Sequence, residues 1–139
     1  MSKRELNIRI FEQALSRSKE YSMSTDVQLL EAGLTPTDVE QVGAIVVLNE
    51  DCLETLIREH QPMTAMLCMA SDYHPGGGVK KGCEAQEEHL CRHSTLYTRL
   101  MKVTKGKKEF KLYPITTPFI LPDVTFFSHI DPLKDKCRI

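Results

Sequence analysis

A chain of 139 residues, 41% of them hydrophobic and 27% charged, has the length and composition of one domain with its own core. Its formal net charge of −1 argues against general binding to nucleic acid or to an anionic membrane surface. No apolar run approaches the roughly 20 residues of a membrane-spanning helix, and no secretory signal follows Met1–Glu5. The five cysteines, without a CxxC pair, indicate free thiols in a reducing compartment, so an intracellular location in cytoplasm or nucleus is expected.

The first half of the chain is predicted to form a helix, two strands and a second helix. Residues 5–20 carry apolar side chains at helical spacing with charges between them, which is typical of an amphipathic helix. Asp26–Leu30 is a short candidate strand, and the glycine and proline in Gly33–Asp38 indicate a turn. Ala44–Leu48 is a continuous apolar run that predicts a strand buried on both faces. Asn49 is expected to cap the helix that follows.

The second half continues the alternation of strands and helices. Met63–Ala70 is a short apolar run that predicts a buried strand. Apolar side chains at helical spacing predict a long helix over Cys83–Val103, and Phe110–Ile115 and Val124–Phe127 are the last candidate strands. Strands that alternate with helices favour an α/β fold with a mostly parallel sheet, in which ligands bind at the carboxyl ends of the strands.

Three consecutive glycines, Gly76–Gly78, follow the predicted strand Met63–Ala70. A loop without side chains lets backbone N–H groups approach a ligand closely, and a helix after it favours phosphate oxygens. The spacing matches neither the GxxxxGK[ST] phosphate loop nor the GxGxxG dinucleotide fingerprint. The triplet alone leaves two interpretations open, a ligand-binding loop and a flexible turn.

Two glutamates, Glu87 and Glu88, lie near the start of the predicted helix. Adjacent helical residues point about 100° apart, so the two carboxylates cannot both face one atom. One can reach a reacting bond as an acid or base while the other holds a neighbouring hydroxyl. This differs from the opposed carboxylates of an ordinary glycosidase. The alternative is that the pair is there only because acids are favoured in the first turn of a helix.

Other reactive residue types give weaker signals. His89, Cys91 and His93 lie close together, but no HExxH and no second ligand pair accompanies them, so no metal and no cofactor is predicted. Cys83 and Cys91 have no activating partner in the sequence and are interpreted as packing thiols. A local basic cluster either attracts a polyanion or forms a solvated loop; its members are Lys102, Lys105, Lys107, Lys108 and Lys111.

A longer pattern joins the glycine triplet to the glutamates. It comprises Met69-Ala70-Ser71, His74-Pro75-Gly76-Gly77-Gly78-Val79, Gly82, Ala85-Gln86-Glu87-Glu88, Leu90-Cys91-Arg92, Ser94 and Leu96-Tyr97. The pattern resembles the microbial-type poly(ADP-ribose) glycohydrolase domain, a macrodomain relative whose signature is a glycine triplet, a short spacer and Gln-Glu-Glu. The spacer here is seven residues, 79–85. His74 stands where the family often has asparagine.

The resemblance implies a role for each matched residue. Glu88, the second glutamate of the motif, would be the general acid in the hydrolysis of a ribose O-glycosidic bond. Glu87 would hold the reacting ribose through its hydroxyls, and Gln86 would fix the loop and the helix. Gly76, Gly77 and Gly78, with the adjoining Val79, would run along the diphosphate. The implied ligand is ADP-ribose or poly(ADP-ribose), and no metal is required.

The resemblance also implies a fold and a domain organisation. It predicts a macrodomain-like, three-layer α/β arrangement that is truncated at the C-terminus, because the family domain continues further. Residues 1–139 would form a single partial domain, with 1–24 as an N-terminal helical extension. Three interpretations stay open: the chain is a truncated product, its sheet is completed by association, or it is a fragment. Two alternatives to an enzyme stay open at this point, an ADP-ribose-binding module and an inactive remnant.

Overall fold

The structure is a computed structural model, and it describes residues 1–30, 43–59, 61, 64–106 and 112–127. It contains four helices and two short strands in these ranges: α1 at Lys3–Ser18, β1 at Gln28–Leu29, α2 at Cys52–Glu59, α3 at Gln86–Arg92, α4 at Leu96–Gly106 and β2 at Phe119–Ile120. A single 3₁₀ turn at Val79–Lys81 precedes α3. None of the helices described combines the length and the apolar character needed to cross a membrane.

Helix α1 confirms the amphipathic helix predicted near the N-terminus. It begins with a capping box, in which Glu5 N donates to Ser2 Oγ at 3.2 Å and Ser2 N donates to Glu5 Oε2 at 2.7 Å. Its buried face includes Phe11 and Ala14, which meet the rest of the core. The ring of Phe11 packs edge-to-face on Tyr97 with centroids 4.9 Å apart. Residues 1–24 thus include a helix that belongs to the core, and the proposed division into an extension and a domain stays a prediction.

The hydrophobic core is formed where α1, the 3₁₀ turn, α3 and α4 meet. Its buried members are Phe11, Val79, Leu90, Cys91, Leu96, Tyr97 and Leu100. This core lies directly below the glycine triplet, because Val79 follows the triplet and Tyr97 contacts it.

The predicted buried strands at Ala44–Leu48 and Met63–Ala70 are not observed. Residues 43–48 and 64–70 form no strand, and Val47 and Leu67 are 90% and 78% exposed; Met63 lies outside the described residues. In 64–70, Met66 and Cys68 pack against the core while their neighbours face outward. The prediction was wrong because an apolar run is buried on both faces only where other elements cover both, and no strand pairs with either segment in the described part.

The mostly parallel sheet is not confirmed. The sheet of the described residues has two antiparallel strands, with Gln28 opposite Ile120 and Leu29 opposite Phe119. This confirms a strand inside Asp26–Leu30, whereas Val124–Phe127 contributes only an isolated bridge between Phe126 and Ser94. The described residues of Phe110–Ile115, which are 112–115, form no strand, and the turn predicted at Gly33–Asp38 lies outside the described ranges.

The two C-terminal helices replace the single long helix predicted over Cys83–Val103. The break falls at Ser94, whose hydroxyl donates to Leu90 O at 2.7 Å and accepts from Leu96 N at 3.1 Å. Such side-chain bonds compete with the helical ladder and end α3 before starting α4. Helix α2 likewise begins later than expected, because the cap is Asp51 and not Asn49: Leu53 N donates to Asp51 Oδ1 at 2.8 Å.

Arg99 anchors the N-terminal and C-terminal segments to α4. It is fully buried and donates to the carbonyls of Ser24, Asp26 and Pro122. Replacing Arg99 with alanine would leave these carbonyls unpaired beside a cavity, so the free energy of unfolding is expected to fall by about 3–5 kcal/mol. Urea denaturation measures this change. The variant Lys105→Ala, at an exposed position in the last turn of α4, should change it by less than about 0.5 kcal/mol, and equal losses in the two variants would contradict the anchoring role.

Candidate active site

The glycine triplet forms a tight turn on top of the core. Gly77 N donates to His74 O at 2.9 Å, and Val79 N donates to Gly76 O at 3.1 Å. Gly76 and Gly77 have positive φ angles of 76° and 52°, which side-chain-bearing residues rarely adopt. The backbone of this turn therefore requires glycine at two of its three positions.

Each glycine of the triplet also faces a side chain of the protein itself. A Cβ atom on Gly76 would lie 2.5 Å from the ring of Tyr97, and one on Gly78 would lie 2.5 Å from Cys83 Sγ. A Cβ atom on Gly77 would lie 2.5 Å from Glu88 Oε1. Distances below 3.0 Å do not occur for real Cβ atoms. The bare backbone thus allows the loop to lie directly against the glutamates.

Gln86 begins α3 and connects it to residues 64–70. Its Oε1 accepts from Met69 N at 2.7 Å, and its Nε2 donates to Leu67 O at 3.2 Å. The side-chain amide therefore pairs with the backbone of this segment as a neighbouring strand would. This contact connects α3 to residues 64–70, and the expected role of Gln86 in fixing the glycine loop stays a prediction.

Glu87 is held by two backbone donors from different parts of the loop. Its Oε2 accepts from Ser71 N at 2.7 Å, and its Oε1 accepts from Gly76 N at 2.8 Å. The residue is only 2% exposed. Burial raises the pKa of Glu87 and the charge of Glu88 adds to this, while the two N–H bonds act in the opposite direction. With one N–H donor on each oxygen, the side chain of Glu87 is held in a single orientation.

Glu88 is held on one side only. Its Oε1 accepts from Gly78 N at 2.8 Å. Among the described residues no donor contacts the other oxygen, Oε2, although the residue is just 7% exposed. One oxygen of Glu88 is thus positioned by the loop while the other is available to carry a proton.

The N–H groups of the triplet are all engaged within the protein. Gly76 N and Gly78 N donate to Glu87 and Glu88, and Gly77 N donates to His74 O. A diphosphate lying along the loop would therefore meet glycine Cα atoms and carbonyls, or would displace a carboxylate from an N–H group. The contact of Gly76–Gly78 with a diphosphate stays a prediction, as does a ligand contact of Val79, whose side chain lies in the core.

The histidines and thiols near the motif make structural contacts. His89 Nε2 lies 3.5 Å from Asp51 Oδ1, and His93 Nδ1 lies 2.9 Å from His89 O. Within the described ranges no group of three His, Cys, Asp or Glu side chains is arranged to hold a metal ion. Burial raises the pKa of Cys68 to about 11 and raises that of Cys91 further, so neither thiol is an activated nucleophile.

Two contributors to the site had no role assigned from the sequence. Tyr97 supports Gly76, and Ser71 supplies a backbone N–H group to Glu87. Both lie inside the pattern shared with the family, and that membership was the only signal of their importance. Because every residue except proline carries a backbone N–H group, the residue type at position 71 does not indicate that Ser71 N donates to Glu87.

The variant Glu87→Gln tests the double anchor, which is the pair of hydrogen bonds from Ser71 N and Gly76 N to the two oxygens of Glu87. An amide has one acceptor oxygen, so in Glu87→Gln the Nε2 group would face either Ser71 N or Gly76 N and leave it unpaired. The free energy of unfolding is expected to fall by about 1–3 kcal/mol, measured by urea denaturation. Glu12→Gln on the exposed face of α1 serves as the control. If Glu87→Gln is as stable as this control, the double anchor does not exist in solution.

A known family model matches the part of the chain that contains this site. The model of the family described as microbial-type PARG, catalytic domain (PARG being poly(ADP-ribose) glycohydrolase), matches residues 1–116. Searches of curated proteins and of solved structures found no match to the chain. The matched range contains α1, the glycine triplet and the Gln-Glu-Glu motif, and it covers most of the 139 residues. The chain therefore belongs to the family of microbial-type PARG catalytic domains.

Proposed function

We propose that the protein hydrolyses the ribose O-glycosidic bond of poly(ADP-ribose) or a related ADP-ribose conjugate, with Glu88 as the general acid. The observation that carries this assignment is the unequal holding of the two glutamates. Both oxygens of Glu87 accept backbone N–H groups, whereas Glu88 is held through Oε1 alone. Family membership supports the reaction class, since the family is one of glycohydrolase catalytic domains.

The different environments of Glu87 and Glu88 give each residue a separate role in the proposed reaction. Glu88 donates a proton from Oε2 to the leaving ribose oxygen as the bond to the anomeric carbon breaks. The resulting oxocarbenium-like ribose is attacked by water, and the proton released from that water returns to the Glu88 carboxylate. Glu87, fixed as a carboxylate by Ser71 N and Gly76 N, accepts hydrogen bonds from hydroxyls of the reacting ribose through its remaining lone pairs.

A second candidate function is an ADP-ribose-binding module without turnover. Leu67 and Met69, whose own backbone groups bond to Gln86, are exposed in the described structure. This side of the site is therefore open, and a general acid works best where water is excluded. An open site can hold a ligand without completing the chemistry.

Two measurements on the unmodified chain separate the candidates. Calorimetric titration with ADP-ribose measures binding, and chromatography of poly(ADP-ribose) after incubation measures release of ADP-ribose. Binding together with release supports the hydrolase. Saturable heat without release would favour the binding module, and a folded chain that shows neither would contradict both candidates.

A further inference from the structure

Tyr113 carries a buried hydroxyl group. The Oη atom is buried and has no hydrogen-bond partner among the described residues, although the ring is partly exposed. Leaving such a hydroxyl unpaired costs about 1–3 kcal/mol. Buried polar groups are nearly always paired, and exceptions in native proteins are concentrated at functional sites.

The segment that carries Tyr113 lies against the loop that holds Glu87. Ile115 N donates to Asp72 O at 2.7 Å, and the residue before Asp72 is Ser71, whose N–H group is bonded to Glu87 Oε2. Burial raises the pKa of the Tyr113 phenol, and the charge of Glu87 raises it further. The phenol therefore remains protonated and is a hydrogen-bond donor beside the acidic motif.

Among the described residues, no acceptor pairs with this donor. Each oxygen of Glu87 accepts a backbone N–H group and neither is a hydrogen-bond partner of Tyr113 Oη, while the other groups whose charges affect the phenol are the thiols of Cys68 and Cys91, which are weak acceptors. An acceptor on a bound molecule would satisfy the hydroxyl. A polyhydroxylated ring placed at Glu87 presents such acceptors at this position.

We propose that Tyr113 is a specificity-determining residue whose hydroxyl bonds to a hydroxyl of the ribose ring bound at Glu87. The inference rests on the proposed function and adds to it a residue outside the Gln-Glu-Glu motif. The ribose bound at Glu87 is the second ribose of ADP-ribose, the one beyond the diphosphate. Tyr113 is therefore expected to distinguish ADP-ribose, which carries this ribose, from ADP, which ends at the diphosphate.

Calorimetric titration of Tyr113→Phe with ADP-ribose and with ADP tests the proposal. Loss of one neutral hydrogen bond should weaken ADP-ribose binding by about threefold to tenfold, while the affinity for ADP stays that of the unmodified chain. The melting temperature should not fall, because an unpaired hydroxyl has been removed. Tyr21→Phe, a partly buried tyrosine that packs on Phe127, is the matched control and should change neither affinity.

The outcomes separate this proposal from the proposed function. If the unmodified chain binds ADP-ribose and Tyr113→Phe binds it equally well, the hydroxyl has only a structural role and the inference is wrong. Equal weakening for ADP and ADP-ribose would also overturn it, because the contact would not be with the second ribose. If the folded, unmodified chain binds neither ligand, the proposed function fails and this inference fails with it.

Discussion

Replacing Glu88 with glutamine is expected to reduce the release of ADP-ribose from poly(ADP-ribose) by about a hundredfold to ten-thousandfold, the usual contribution of a general acid. Glutamine cannot deliver the proton that the leaving ribose oxygen requires. Its carbonyl oxygen can still accept from Gly78 N, as Glu88 Oε1 does at 2.8 Å. The melting temperature is therefore expected to stay close to that of the unmodified chain.

A matched control separates loss of the acid from loss of a helical charge. Glu54 lies in the first turn of α2, as Glu88 lies in the first turn of α3, and it is exposed. Glu54→Gln removes the same charge from an equivalent helical position and should leave the rate of release unchanged. Equal rates for Glu88→Gln and Glu54→Gln would remove Glu88 from the mechanism.

Alanine at position 77 is expected to abolish most of the activity through the position of Glu88. The added Cβ atom would lie 2.5 Å from Glu88 Oε1 and 3.3 Å from Glu87 Oε2, so the carboxylates must move away from the loop. The φ angle of 52° adds backbone strain of about 1–2 kcal/mol. We expect kcat to fall by more than about tenfold, since a small displacement of a catalytic group is costly, together with a lower melting temperature.

Gly43→Ala is the control for the glycine substitution. An added Cβ atom at Gly43 meets no atom within 4 Å. Its stability is expected to stay the same or to rise by about 0.4–1 kcal/mol through the entropy of the unfolded chain. If Gly77→Ala retains the full rate of release, the loop does not determine where Glu88 lies.

Features that depend on short stretches of chain could be predicted from the sequence. The apolar spacing of residues 5–20 is sufficient to identify α1, because one face of a single helix determines it. The glycine triplet and Gln-Glu-Glu could be joined into one site because their spacing matches a family pattern. The existence of the site thus followed from the sequence, although the contacts between its members did not.

Features that depend on distant partners could not be predicted in the same way. The apolar runs at 44–48 and 63–70 predict burial, but burial requires a covering element that no local pattern specifies. Ser94 ends α3 through hydrogen bonds that periodicity does not reveal. The glycine N–H groups were expected to face a ligand, and the structure instead directs those of Gly76 and Gly78 to Glu87 and Glu88. Only a three-dimensional arrangement shows which acceptor a backbone donor reaches.

The most direct test of the proposed hydrolase is a single-turnover measurement with the unmodified chain in excess over poly(ADP-ribose). If Glu88 is the general acid of a hydrolase, free ADP-ribose is released with time in the absence of any added metal or cofactor. A folded chain that binds ADP-ribose but releases none from the polymer under these conditions would contradict it.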